Sequence, residues 1–152
     1  MGWASYTIAL PALLAALLLS AGIEDARTRT IANWKNAAIA LLAPLWWWAS
    51  GLQLWPDVAW QIGVALGVFA LFVAAFHFGW MGGGDVKMIG ALALWLPLPA
   101  LLWMLTAMSL AGGALTLLMV ADRAVRRAEA VEVPYGVAIA AAALLCLPRT
   151  VS

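Results

Sequence analysis

Charge is the first thing this sequence lacks. Only 10% of its 152 residues are Asp, Glu, Lys or Arg, and 66% are hydrophobic, whereas a soluble domain carries about 25% charge. Mean hydropathy is +1.00. Such a chain has too little polar surface to cover itself in water, so it is an integral membrane protein whose surroundings are lipid. Its net charge of +1, with no basic patch or tail, excludes a nucleic-acid partner. Cysteine is nearly absent too. Cys146, the only one, allows neither a disulfide framework nor a Cys-type zinc site, and its Ala-Leu surroundings suit a small buried apolar side chain. His77 is the only histidine, with no serine near it in sequence for a Ser-His-Asp set, and it reads as a hydrogen-bonded packing residue. No His/Cys/Asp cluster has metal-ligand spacing, so neither a metal nor a cofactor is expected.

Long stretches lack charge altogether, and these define the membrane segments. Trp3 to Ile23 is uncharged, enough for one crossing at roughly 20 residues. A cleaved signal peptide is disfavoured, because no Lys or Arg precedes that stretch. The polar segment Glu24 to Asn36 follows, then a second span from Ala37 to Leu54, a turn at Trp55 to Asp57, and a third span from Val58 to Phe78. No charge falls between Lys87 and Asp122, and the "LPLP" at Leu96 to Pro99 breaks that run into a short segment at 86–96 and a full one at 100–121. Pro134, after the polar stretch "DRAVRRAEAVE", opens a sixth segment to about Leu147. The expectation is all-α: one membrane-embedded domain over 1–152, a polytopic helix bundle of about six transmembrane segments with a short fourth. The oligomeric state is left open.

With six crossings, every basic residue except Arg149 falls on one side of the membrane. Positive-inside asymmetry makes that side cytoplasmic and sends both termini outward. Trp46, Trp47, Trp48, Trp55 and Trp60 flank the outer turn, and Trp34 and Trp80 fall near the inner boundary, as interfacial anchors do.

This topology brings Asp25, at the inner end of segment one, to the same face as Asp85, at the inner start of segment four. About eleven residues rise only about 16 Å against a hydrocarbon core near 30 Å, so Asp85 lies in thinned bilayer or in a water-filled recess. A carboxylate at such depth points to a functional site; the plain alternative is that both aspartates are interfacial charges paired with Arg27 and Lys87. Topology alone does not choose. Two carboxylates meeting in a low-dielectric cleft cannot both ionise, so one holds a proton while the other activates water, as in aspartic proteases. Gly82, Gly83 and Gly84, just before Asp85, let the backbone leave helical geometry and let an extended chain approach. A plain interhelical loop would also use glycine.

The motif "GGGDVKM" at Gly82 to Met88 resembles the GxGDxK motif of the type IV prepilin peptidases, bacterial membrane aspartic proteases. "DARTRTIAN", Asp25 to Asn33, is similar to that family's D-x-R-x-x-x-I-P-N stretch, with Ala32 where proline is usual. "VPYGVAIAAA" from Val133 is similar to the Pro-Tyr-Gly-x-Ala start of the family's last helix. The resemblance implies that Asp25 and Asp85 are the catalytic pair, that Gly82, Gly83, Gly84 and Lys87 form an active-site loop, and that Tyr135 and Gly136 border the cleft. It implies cleavage of the short basic leader from prepilin or pseudopilin precursors, at the cytoplasmic face of the bacterial inner membrane. Longer members carry an N-terminal region with paired CxxC motifs linked to N-methylation. This sequence is similar to the short form of tight-adherence (Flp-type) pilus systems, implying peptidase without methyltransferase activity. Glu24, beside Asp25, would attract a basic leader; Lys87 either tunes Asp85 or extends to the phosphates. "SLAGGAL" at Ser109 to Leu115 suits close helix packing. Three alternatives stand beside this: a presenilin-like or archaeal preflagellin peptidase, a non-enzymatic subunit of a pilus or secretion machine, and a small proton or ion carrier.

Overall fold

A computed structural model describes residues 3–126 and 135–150 of the chain. Among these residues it is all-helical, with six α-helices and no strand: α1 Trp3–Thr28, α2 Asn33–Ala49, α3 Ala59–His77, α4 Gly83–Ala93, α5 Leu98–Arg126 and α6 Tyr135–Thr150. Three stretches are long and apolar enough to cross a bilayer: Tyr6–Thr28, Leu54–His77 and Leu98–Ala121. α2, at 17 residues, and α6, at 16, are shorter, and α4 has only 11.

That short helix is the hub. α4 packs against α2, α3 and α6, while α1 packs on α2 and α6, and α5 on α6. Val86, Met88, Ile89, Ala91, Leu92 and Ala93 are all buried, so α4 shows the apolar surround of a core helix rather than one apolar stripe. A short helix so enclosed must still satisfy its terminal carbonyls. Neighbouring side chains do this. Trp47 Nε1 donates to the Leu94 carbonyl at 2.7 Å, and the buried Gln61 amide donates to Ala93 and Leu96 at 2.7 and 2.6 Å. Trp95, just past α4, donates in return to the Ile39 carbonyl of α2 at 2.8 Å and stacks on Trp46. Trp46 is therefore a buried packing residue and not an interfacial anchor. Trp34, Trp48, Trp55, Trp60 and Trp80 are exposed on the bundle surface, where such anchors belong.

Several boundaries differ from the sequence expectation. α1 runs beyond Ile23, through Glu24 and Asp25, to Thr28. The polar residues extend the helix instead of ending it, because nothing before Arg29 demands a non-helical backbone. α2 begins at Asn33, well before Ala37. Gly82 is extended, but Gly83 and Gly84 are already helical, so the glycines do not form a wholly irregular loop. At Gly83 the lack of Cβ serves packing, since a Cβ there would lie 3.3 Å from the Phe76 ring, whereas one on Gly84 would make only ordinary contact with Ile31, at 3.5 Å. His77 is exposed at the end of α3, edge-on to Phe78, not packed inside. Cys146 is fully buried, as its surroundings suggested. A Cβ on Gly112 would lie 2.8 Å from the Tyr135 ring, the close α5–α6 approach that "SLAGGAL" foreshadows. Arg127 and Pro134 lie outside the described residues.

Candidate active site

Asp25 occupies the last two turns of α1, and Asp85 the first turn of α4. Far apart in sequence, they line one cavity of about 280 Å³ and lie within electrostatic reach of each other. Both are buried, at 5% and 9% exposure, as ordinary interfacial charges would not be.

Two helix N-termini converge here. Asp85 is the third residue of α4 and faces the N–H of Gly82, the residue that caps that helix, half of a capping box. Asp25 receives the N–H of Val137, in the first turn of α6, on its Oδ2 at 3.3 Å. The free amides at a helix start carry partial positive charge, so each carboxylate has a backbone partner. Gly136 makes the approach to Asp25 possible, since a Cβ there would lie 2.8 Å from both Cγ and Oδ2.

The plain ion-pair alternative does not form. Lys87 donates to Asn33 Oδ1 at 2.9 Å and makes no ion pair with Asp85, and Arg27 is exposed. Among the described residues the ion pair is Lys35 with Glu24, at 2.8 Å. Lys35 also donates to the Ser20 carbonyl at 3.1 Å, and Glu24 also accepts from the Ala32 N–H at 3.3 Å. Glu24 is thus engaged in joining α1 to α2 and does not line the cavity. The Ala32 N–H that it uses would be missing from a proline.

Of the other residues singled out from sequence, Gly82, Gly83 and Gly84 line the cavity, together with Ile31. Tyr135 points elsewhere, its hydroxyl 3.3 Å from Thr116 Oγ1. Sequence reasoning missed Arg29 as a cavity residue and Asn36 as a support, whose Nδ2 donates to the Gly84 carbonyl at 3.2 Å. Asn33 and Asn36, three apart at the start of α2, were a readable signal of one polar helix face. Asn33 and Lys87 also line a separate apolar groove of about 410 Å³ between α2 and α3, floored by Gly90 and Ala91 of α4. No group of three His, Cys, Asp or Glu among the described residues could hold a metal ion.

The profile of the type IV leader peptidase family matches residues 12–117, well over half of the chain. The chain belongs to that family. The match contains both cavity aspartates and every element that supports them except α6. No curated protein and no solved structure matches this leader peptidase family member. Membership, with three helices of membrane-spanning length and composition, makes it a membrane protein of leader-peptidase type.

Proposed function

We propose that the chain is an aspartic endopeptidase that removes the short basic leader from type IV prepilin-like or pseudopilin precursors, at the cytoplasmic face of the bacterial inner membrane. The observation that carries this reading is the meeting of Asp25 and Asp85 in one cavity. Asp25 and Asp85 act as a pair sharing one proton. The ionised member takes a proton from water as its oxygen bonds to the scissile carbonyl carbon. The protonated member hydrogen-bonds the developing oxyanion. When the tetrahedral species collapses, the C–N bond breaks and the leaving amine takes up a proton from the pair. The Val137 N–H holds Asp25 in place throughout. A cavity edged by Gly82, Gly83 and Gly84 gives an extended peptide room beside the carboxylates.

Mass spectrometry of a co-expressed prepilin tests this directly. The wild-type chain is expected to yield a new N-terminus after the leader, unmethylated. Asp25→Asn and Asp85→Asn are each expected to leave the precursor whole. Intact cleavage with either variant overturns the reading. So does membrane-impermeant labelling that finds residues 25 and 85 open to opposite compartments.

A further inference from the structure

Arg29 stands where a helix commonly ends on glycine. Its φ of +56° is left-handed, and its N–H closes the last turn of α1 on the Asp25 carbonyl at 2.9 Å. Glycine takes that conformation without steric penalty, whereas a residue with a Cβ does not. The backbone gives no reason for an arginine here, so the reason lies at the far end of the side chain.

Arg29 lines the cavity that holds Asp25 and Asp85, and its charge reaches Asp25. It nevertheless forms no ion pair with either carboxylate, the ion pair among the described residues being Lys35–Glu24. Its Nη1 is buried and has no hydrogen-bond partner. A buried donor left unmatched is rare and calls for an acceptor. Guanidinium has only donors, and the main-chain acceptor that any peptide offers is a carbonyl oxygen. A carboxylate ligand would bring further negative charge into a cavity already walled by two acids; a neutral carbonyl would not. Arg27, which holds the basic position of the D-x-R pattern, is exposed, so the family motif does not supply this contact.

We propose that Arg29 is a substrate-binding residue whose guanidinium donates to a main-chain carbonyl oxygen of the peptide, beside the scissile amide. The inference rests on the peptidase reading above. It gives the cavity a fixed donor that orients an extended chain before the carboxylates act on it.

The test uses purified full-length protein in detergent with a full-length prepilin, reading KM, kcat and thermal melting. Arg29→Gly removes the side chain and the left-handed penalty together, so its Tm is expected to equal or exceed that of the wild type. Its KM is expected to rise about 10- to 100-fold, the loss of a hydrogen bond from a charged donor, with kcat within about twofold. Arg29→Lys keeps a charged donor without the fork and should restore part of the KM. A wild-type KM in Arg29→Gly overturns the proposal. So does a loss confined to kcat, or a lowered Tm with Gly and Lys variants equally impaired, which would make Arg29 structural. Asp25→Asn in the same assay separates the two readings: turnover surviving in that variant refutes the paired carboxylates, whereas the Arg29 proposal stands or falls on KM.

Discussion

Gly136 lies directly against the carboxylate of Asp25, so close that a Cβ on it would sit 2.8 Å from Cγ and 2.9 Å from Ile31 Cδ1. The Ile31 methyl can turn aside, but the Asp25 carboxylate is held by the Val137 N–H of the same turn. Gly136→Ala must therefore push the carboxylate out of position. A small displacement at a reacting group can lower the rate about 100-fold, and overpacking of this kind destabilises by about 1–3 kcal/mol. Cleavage rate and melting temperature of the purified variant are expected to fall together. Wild-type rates would show that Asp25 need not sit where it does.

The two aspartates are expected to behave as a unit. Asp25→Asn and Asp85→Asn keep side-chain shape and remove acid-base function, each lowering the leader-cleavage rate by about 10²–10⁴-fold. The double variant should be no slower than the worse single one, since groups that act together are not additive. Multiplicative losses would mean that the two carboxylates work at separate steps.

Glu24 was attractive from sequence as a magnet for the basic leader. In the structure it faces Lys35 and the Ala32 N–H, and Lys35 is itself buried, at 7% exposure. Glu24→Gln would leave that ammonium short of its charged partner. The expected outcome is a lower melting temperature with an unchanged KM for the leader. A raised KM at constant Tm would restore the leader-binding role.

Gly90 and Gly67 make opposite predictions for the same substitution. A Cβ on Gly90 would meet Phe69 Cδ2 at 2.6 Å, while one on Gly67 meets nothing within 4 Å. Gly90→Ala must rotate the Phe69 ring off the α3–α4 contact, at a cost of about 1–3 kcal/mol. Gly67→Ala, inside helix α3, should stabilise by about 0.5–1 kcal/mol. Thermal unfolding in detergent checks both signs.

Composition and charge spacing alone determined that this chain is helical and membrane-embedded, and roughly where its helices fall, because uncharged runs of bilayer length have few other stable forms. The cost of carboxylates in such a chain makes Asp25 and Asp85 stand out, but only the resemblance of the motifs around them chooses a paired site over two interfacial charges. Helix ends were less legible. Glu24 and Asp25 continue α1 because a polar side chain does not by itself break a helix, and Gly83 and Gly84 join α4 because a helix start tolerates glycine. What only the tertiary structure decided is which groups face one another: Val137 to Asp25, Lys87 to Asn33, Glu24 to Lys35, Trp46 to Trp95. Those contacts join different helices, and each depends on how the helices are rotated and packed. A period or a spacing within one segment carries no information about that rotation.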